Sequence, residues 1–128
     1  MTATPAPSIA HRELAAGRWH TLPLVEQLAN VGSEVSRTIR ALGTGQTERA
    51  SNAMTRALEL FDLTATDPRW KGPRRREVLG ARELFCGLKY SVTPTPGDAE
   101  FCERYFLQFA VAVRRARDVV QQSRGDTS

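Results

Sequence analysis

The sequence is poor in the residues on which disulfide scaffolds and zinc sites depend. It holds two cysteines among 128 residues, too few for a disulfide framework or, on their own, for a structural zinc site. No apolar run approaches the ~18 residues that a membrane-spanning helix needs, so we expect no membrane association. The first eight residues, MTATPAPS, lack the basic and apolar regions of a secretory signal. Together these absences predict a cytoplasmic protein.

The sequence also lacks most signatures of catalysis. His11 and His20 are the only histidines, and neither follows a glutamate at the spacing that a di-iron helical bundle needs. The HEPN ribonucleases, which are small helical bundles, carry an Arg-x4–6-His motif, whereas seven residues separate Arg12 from His20. The Gly43–Gly45 turn lacks the glycine and lysine that complete a phosphate-binding loop. We therefore predict no enzyme, metal or cofactor, with a nuclease built on His20 as the catalytic alternative.

What the sequence does contain is helical periodicity, and no segment alternates as a strand would for more than a few residues. The first apolar stripe steps by 4, 3, 4, 4 and 3 positions through Leu24, Leu28, Val31, Val35, Ile39 and Leu42. Thr21 and Asp98 are predicted N-caps, and Gly43–Gly45 is typical of a helix stop. The predicted helices cover about Leu22–Leu42, Gln46–Thr64, Pro73–Tyr90 and Asp98–Gln122.

These helices predict the domain organisation. A short additional helix is expected over Ile9–Ala16, after a disordered tail at residues 1–8, and residues 123–128 are expected to fray. Connections of a few residues place successive helices antiparallel to one another. The sequence thus predicts one all-α domain over residues 9–122, an antiparallel four-helix bundle with a short extra N-terminal helix.

Two further groups of reactive residue types fall on these helices. Cys86 and Cys102 lie on or beside apolar faces, where cysteine acts as a small buried hydrophobe. Glu34, Glu59 and Asp62 could meet between the first two helices, but acids on outer helix faces are ordinarily solvated. Neither group predicts a reactive or metal site.

The basic residues are concentrated in one segment. The formal net charge is +4, and the segment from Asp67 to Arg76 (DPRWKGPRRR) carries five basic residues and one acid, 5 − 1 = +4. If Pro73 begins the third helix, Arg74, Arg75 and Arg76 occupy its first turn. The helix dipole makes each cation there unfavourable by about 0.3–1 kcal/mol. A bound anion would remove this conflict, because helix N-termini and arginines both bind phosphate.

Two further features extend this segment. Trp70 provides a flat surface on which a base or a guanidinium could stack. A second basic run lies near the end of the fourth helix, where ordinary capping of the helix dipole also accounts for it. In an up-down-up-down bundle the two clusters share one end, which would merge them into one basic patch. The predicted nucleic-acid or anion-binding residues are Arg69, Trp70, Lys71, Arg74, Arg75, Arg76, Arg114, Arg115 and Arg117.

Parts of the sequence resemble known helical families. The second helix places its residues as half of a tetratricopeptide repeat does, at Gly45, Ala50, Met54, Ala57 and Leu58. No second copy follows at a spacing of 34, so a tightly packed helical hairpin is the favoured interpretation of the pattern. The run from Leu22 to Pro68 also resembles an uncharacterised family of small prokaryotic helical proteins. In that family a LANxGSEV helix precedes an ERALELxDLTxxDP helix, and the resemblance, which continues to about Ala112, implies a helical domain but no activity.

Three functions remain open at this point. The first is a non-enzymatic accessory protein that docks its arginine-rich patch on nucleic acid or a nucleoprotein partner. The second is a protein–protein adaptor or accessory subunit of a larger complex, and the third is the HEPN-like nuclease. A homo-oligomer is also predicted, because the fourth helix is apolar over more than half its circumference. Two alternatives for the basic patch remain: an acidic protein partner, or a surface that is solvated or paired within the chain with Glu13, Glu77 and Glu83.

Overall fold

The structure, a computed structural model, describes residues 17–90 and 97–125, and within them the chain is helical with no strand. A 3-10 turn, Trp19–Thr21, precedes the four main helices. The expected tail at residues 1–8 and the expected helix at 9–16 lie outside the described residues. The helices are α1 (Leu24–Gly43), α2 (Thr47–Ala65), α3 (Pro73–Tyr90) and α4 (Asp98–Gly125).

The four helices form the predicted antiparallel bundle. α1 packs against both α2 and α4, and α3 packs against the same two helices from the other side. The start of α1 meets the end of α2, since Gln27 donates a hydrogen bond to Asp67 just beyond it. It also meets the last turns of α4, where Val25 and Val120 line one groove. The predicted fold class is therefore confirmed.

The helix limits follow the turn residues of the sequence. α1 ends at Gly43, in the Gly43–Gly45 turn that the sequence predicts as a helix stop. Gly45 has a φ of +71°. The N–H groups of Gly45 and Gln46 donate to the carbonyls of Leu42 and Ala41, which completes a Schellman motif. The predicted N-cap at Thr21 is wrong, because its hydroxyl donates to Arg18 O at 2.6 Å instead and Pro23 directly precedes α1.

Aromatic side chains from three helices meet at the centre of the bundle. The Phe61 ring of α2 lies 5.8 Å from the Phe85 ring of α3 and 5.8 Å from the Phe106 ring of α4. Trp19, from the turn before α1, is also fully buried, and its indole N–H donates to Thr64 Oγ1 at 3.2 Å. The core therefore includes a residue from outside the four helices.

The apolar side of α4 is divided between the core and the surface. Phe106 is buried, and Tyr105 and Phe109 pack against the core, so these three belong to the face of α4 that fills the bundle. Phe101 and Leu107 remain more than half exposed. α4 also continues three residues beyond its predicted end.

A glycine marks a close approach of α1 and α4. A Cβ atom added to Gly32 would lie 2.8 Å from Phe106 Cβ, closer than carbon atoms pack. We expect Gly32→Ala to destabilise the bundle by about 1–3 kcal/mol through overpacking, despite the better helix propensity of alanine.

The matched control is Gly80→Ala in the interior of α3. A Cβ atom at Gly80 would meet no atom within 4 Å, so this change should stabilise by up to about 1 kcal/mol through propensity alone. Urea unfolding followed by circular dichroism measures both. Equal stabilisation by the two substitutions would contradict the close contact at Gly32.

Candidate functional site

The basic segment connects the end of α2 to the start of α3. α3 begins at Pro73 as predicted, and Arg76 N–H donates to Gly72 O at 3.1 Å to close its first turn. That turn contains no acidic residue. Three consecutive arginines therefore lie where the helix dipole is positive, as the sequence indicated.

A buried carboxylate anchors the segment. The Asp67 side chain has no exposed surface and accepts hydrogen bonds from Arg69 Nη2 at 2.7 Å and Gln27 Nε2 at 3.0 Å. The Arg69 backbone N–H also donates to Asp67 Oδ1 at 3.0 Å. The hydrogen bonds from Arg69, more than offsetting burial, hold the pKa of Asp67 well below its ordinary value. Arg69 is thus an internal partner whose charge is balanced.

Trp70 is part of the same anchor. The residue is 9% exposed, and its indole N–H donates to Gln27 Oε1 at 2.7 Å. The guanidinium carbons of Arg69 and Arg74 lie 4.5 and 5.8 Å from the ring centroid. The sequence predicts a base or a guanidinium as the stacking partner of Trp70, and the structure shows guanidinium groups. With so little exposed surface, the ring has little room for a base.

Gln27 of α1 joins Asp67 and Trp70 through hydrogen bonds. Its side chain is fully buried: Nε2 donates to Trp19 O and Asp67 Oδ2, and Oε1 accepts from Trp70. Glu34 is buried as well, at 8% exposure. The burial of Glu34 corrects the expectation of a solvated acid, and in both residues at least one polar atom has a long-range partner.

Four cations of the segment remain exposed. Within residues 17–90 and 97–125 none of them forms an ion pair. Glu77, one of the acids proposed as an internal partner, instead accepts a hydrogen bond from the Tyr105 hydroxyl at 2.8 Å. Glu83 pairs with none of them, and Glu13 lies outside the described residues. We call this set the arginine patch: Lys71, Arg74, Arg75 and Arg76.

The second basic run lies on α4 near the start of α1. Arg114 and Arg117 line a shallow groove together with Glu26 and Asn30 of α1. Gln27, which follows Glu26, contacts Trp70. The two basic clusters are thus at the same end of the bundle, with the first turns of α1 between them. Arg115 is exposed on α4 outside that groove.

The other candidate groups have structural partners or are buried. Cys102 is fully buried, and burial raises the pKa of its thiol to about 11, whereas Cys86 is partly exposed. Glu34 pairs with Arg37 and Arg56, and Asp62 pairs with Arg82 on α3. Among the described residues no three metal-binding side chains come together.

His20 is exposed in the 3-10 turn. Across the described ranges no helix has the length and apolar character to cross a membrane. Comparisons of the chain with protein-family models, curated proteins and solved structures find no match. The function is therefore inferred from the contacts, burial and charges of the side chains described above.

Proposed function

We propose that the protein is a non-enzymatic accessory protein that docks the arginine patch on nucleic acid or a nucleoprotein. One observation carries this proposal: four exposed cations surround the first turn of α3, without an ion-pair partner among the described residues. The dipole of α3 adds positive potential at the same place. A cytoplasmic setting is part of the proposal.

The cost of this arrangement supports a binding role. Each cation at a helix N-terminus is unfavourable by about 0.3–1 kcal/mol, and such local conflicts concentrate at functional sites. Phosphate groups would offset the cost, because guanidinium groups and free N–H groups of a helix N-terminus both bind them.

The Asp67 anchor supports the proposal further. By fixing Arg69 and Trp70, it holds the segment on the bundle, and the four patch cations remain exposed. Cations held on an ordered backbone lose less conformational freedom on binding than those of a loose tail. Arg114, Arg115 and Arg117, at the same end of the bundle, would extend the contact along a longer stretch of phosphates.

The test compares two triple variants of equal charge by fluorescence polarisation with labelled single- and double-stranded oligonucleotides. Changing Arg74, Arg75 and Arg76 to Gln should weaken binding and reduce the salt slope of log K by up to about 2.7, at ~0.9 per phosphate contact. The free energy of unfolding should stay constant or rise, because unfavourable helix-terminal cations are removed.

The control triple changes three exposed arginines away from this end of the bundle, Arg40, Arg49 and Arg104, to Gln. It should retain the wild-type affinity and salt slope. Binding that is indifferent to salt, or that falls equally in the two triple variants, would refute docking by the arginine patch.

A second candidate function, a protein–protein adaptor, is favoured by the apolar residues that α4 leaves at the surface. Phe101, Leu107, Val119 and Val120 are each at least half exposed. A protein partner or a second copy of the chain would cover them. Capture of a partner that survives nuclease treatment, with wild-type behaviour of the Arg74–Arg76 variant, distinguishes this function from nucleic-acid docking.

A further inference from the structure

A second basic surface lies between α1 and α2, away from the arginine patch. A groove of about 530 Å³ opens there, and its charged and polar lining includes Arg37, Arg40, Arg49, Arg56, Thr44 and Asn52. Arg40 follows Gln27, the contact of Trp70, by 13 positions in α1, or about 20 Å along the helix axis. The two basic surfaces are therefore separate. We call this one the Glu34 groove, after the carboxylate beside it.

Glu34 fixes two of the four guanidinium groups. Its side chain is 10% exposed, with Oε1 accepting from Arg37 Nη1 at 2.8 Å and Oε2 accepting from Arg56 Nε at 3.2 Å. Each arginine uses one nitrogen in this contact and keeps its remaining N–H groups for other acceptors. The side chains are thus held in place before any ligand arrives.

The other two arginines have no such partner. Arg40 and Arg49 are exposed, and neither forms an ion pair within the part of the chain that the structure describes. Arg40 also lines the neighbouring α1–α4 groove with Glu100 and Glu103, yet it pairs with neither. Four arginines and one carboxylate leave a net charge of 4 − 1 = +3, and no acidic residue lines the Glu34 groove.

We propose that the Glu34 groove binds a chain of linked phosphate groups, such as the phosphate tail of a nucleotide. Guanidinium groups from two facing helices can each take two phosphate oxygens, so four of them offer more bidentate contacts than the four oxygens of one phosphate can satisfy. Thr44 and Asn52 add neutral polar side chains to the lining. The volume lies within the range of about 300–1,000 Å³ that small-molecule sites occupy. This inference does not depend on the arginine patch.

Titration calorimetry with inorganic tripolyphosphate tests the proposal, using full-length protein at low salt. The double change of Arg40 and Arg49 to Gln should weaken tripolyphosphate binding at least about tenfold, because it removes the two guanidinium groups without an internal partner. Both side chains are exposed, so the circular dichroism spectrum should not change. The matched control, Arg18 and Arg104 to Gln, removes the same charge from two exposed arginines outside both basic surfaces and should bind as the wild type does. A further double variant, Arg74 and Arg75 to Gln, reports on the arginine patch.

Two further ligands test which chemical class of ligand the Glu34 groove binds. Orthophosphate should bind at least about tenfold more weakly than tripolyphosphate, since it carries less charge and too few oxygens for four bidentate contacts. A single-stranded oligonucleotide should bind the double variant of Arg40 and Arg49 as well as it binds the wild type.

Several results would overturn the proposal. One is no binding of tripolyphosphate by the wild type, and another is equal affinity for orthophosphate. A loss of tripolyphosphate binding that follows Arg74 and Arg75 would assign it to the arginine patch. A loss of oligonucleotide binding in the Arg40 and Arg49 variant, without tripolyphosphate binding by the wild type, would make the groove a nucleic-acid contact.

Discussion

Replacing Asp67 by alanine is expected to lower the free energy of unfolding by about 3 kcal/mol at neutral pH. Removing one member of a buried ion pair typically costs about 3–5 kcal/mol, and Arg69 is 37% exposed, so water offsets part of the loss. Gln27 Nε2 loses one of its two acceptors as well. Urea unfolding followed by circular dichroism gives the difference, provided that the transition is two-state.

Asp62→Ala is the matched control for this prediction. Its carboxylate also accepts from an arginine, Arg82 Nε at 3.1 Å, but 63% of the side chain is exposed. Exposed ion pairs contribute about 0–1 kcal/mol, so this variant should unfold close to the wild type. Equal losses from the two aspartates would contradict the anchoring role of Asp67.

The same carboxylate predicts a dependence of stability on pH. Asp67 has a lower pKa when folded than its ordinary 3.8, so below that value the unfolded chain binds a proton that the folded chain does not. Its contribution is present above about pH 5 and is lost as the pH falls through the pKa of the folded state. The difference between wild type and Asp67→Ala should therefore be constant from about pH 8 to pH 5 and shrink in more acidic buffer.

The helices themselves could be predicted from the sequence because their signals are local. Apolar residues at helical spacing predicted four helices, and Pro73 and the Gly43–Gly45 turn marked two of their limits. α3 has the predicted bounds, and α1 and α2 differ from theirs by one or two residues at each end. The position of three arginines in the first turn of α3 followed from the same local information.

The anchor beneath those arginines could not be predicted in the same way, because its contacts join distant parts of the chain. Trp19 meets Thr64, and Gln27 meets Asp67 and Trp70, across 40 or more residues. One signal for these contacts is present in the sequence. Polar residues of α1 form a helical stripe with Val31, at steps of 4, 3, 4 and 3. The whole stripe is buried and consists of Gln27, Val31, Glu34, Thr38 and Ala41. The stripe is hard to recognise in the sequence because polar side chains are seldom buried unless partners satisfy them.

The division of the apolar residues of α4 between core and surface could not be predicted for a related reason. The number of apolar residues on a helix shows how much it can bury but not how many neighbours pack around it. α4 lies between α1 and α3, so Tyr105, Phe106 and Phe109 all turn toward the core. The apolar residues that remain exposed include Phe101 and Leu107, which lie on different sides of the helix.

The largest single loss from the core is expected for Phe61→Ala, at about 3–5 kcal/mol. Phe61 is fully buried, and its ring contacts Phe85 and Phe106 on two other helices, so neither neighbour can fill the space alone. The cost combines the lost burial of the ring with the cavity that remains in a close-packed interior. Urea unfolding measures it.

Phe101→Ala provides the comparison for that loss, since it removes the same ring from a position 56% exposed on α4. A surface substitution of this kind should change the free energy of unfolding by no more than about 0.5 kcal/mol. Similar costs for the two phenylalanines would contradict the packing of α2, α3 and α4 around Phe61.

Because α3 carries the arginine patch, the same packing positions the cations of its first turn. Under conditions where Phe61→Ala remains only partly folded, oligonucleotide binding should therefore fall in proportion to the folded fraction.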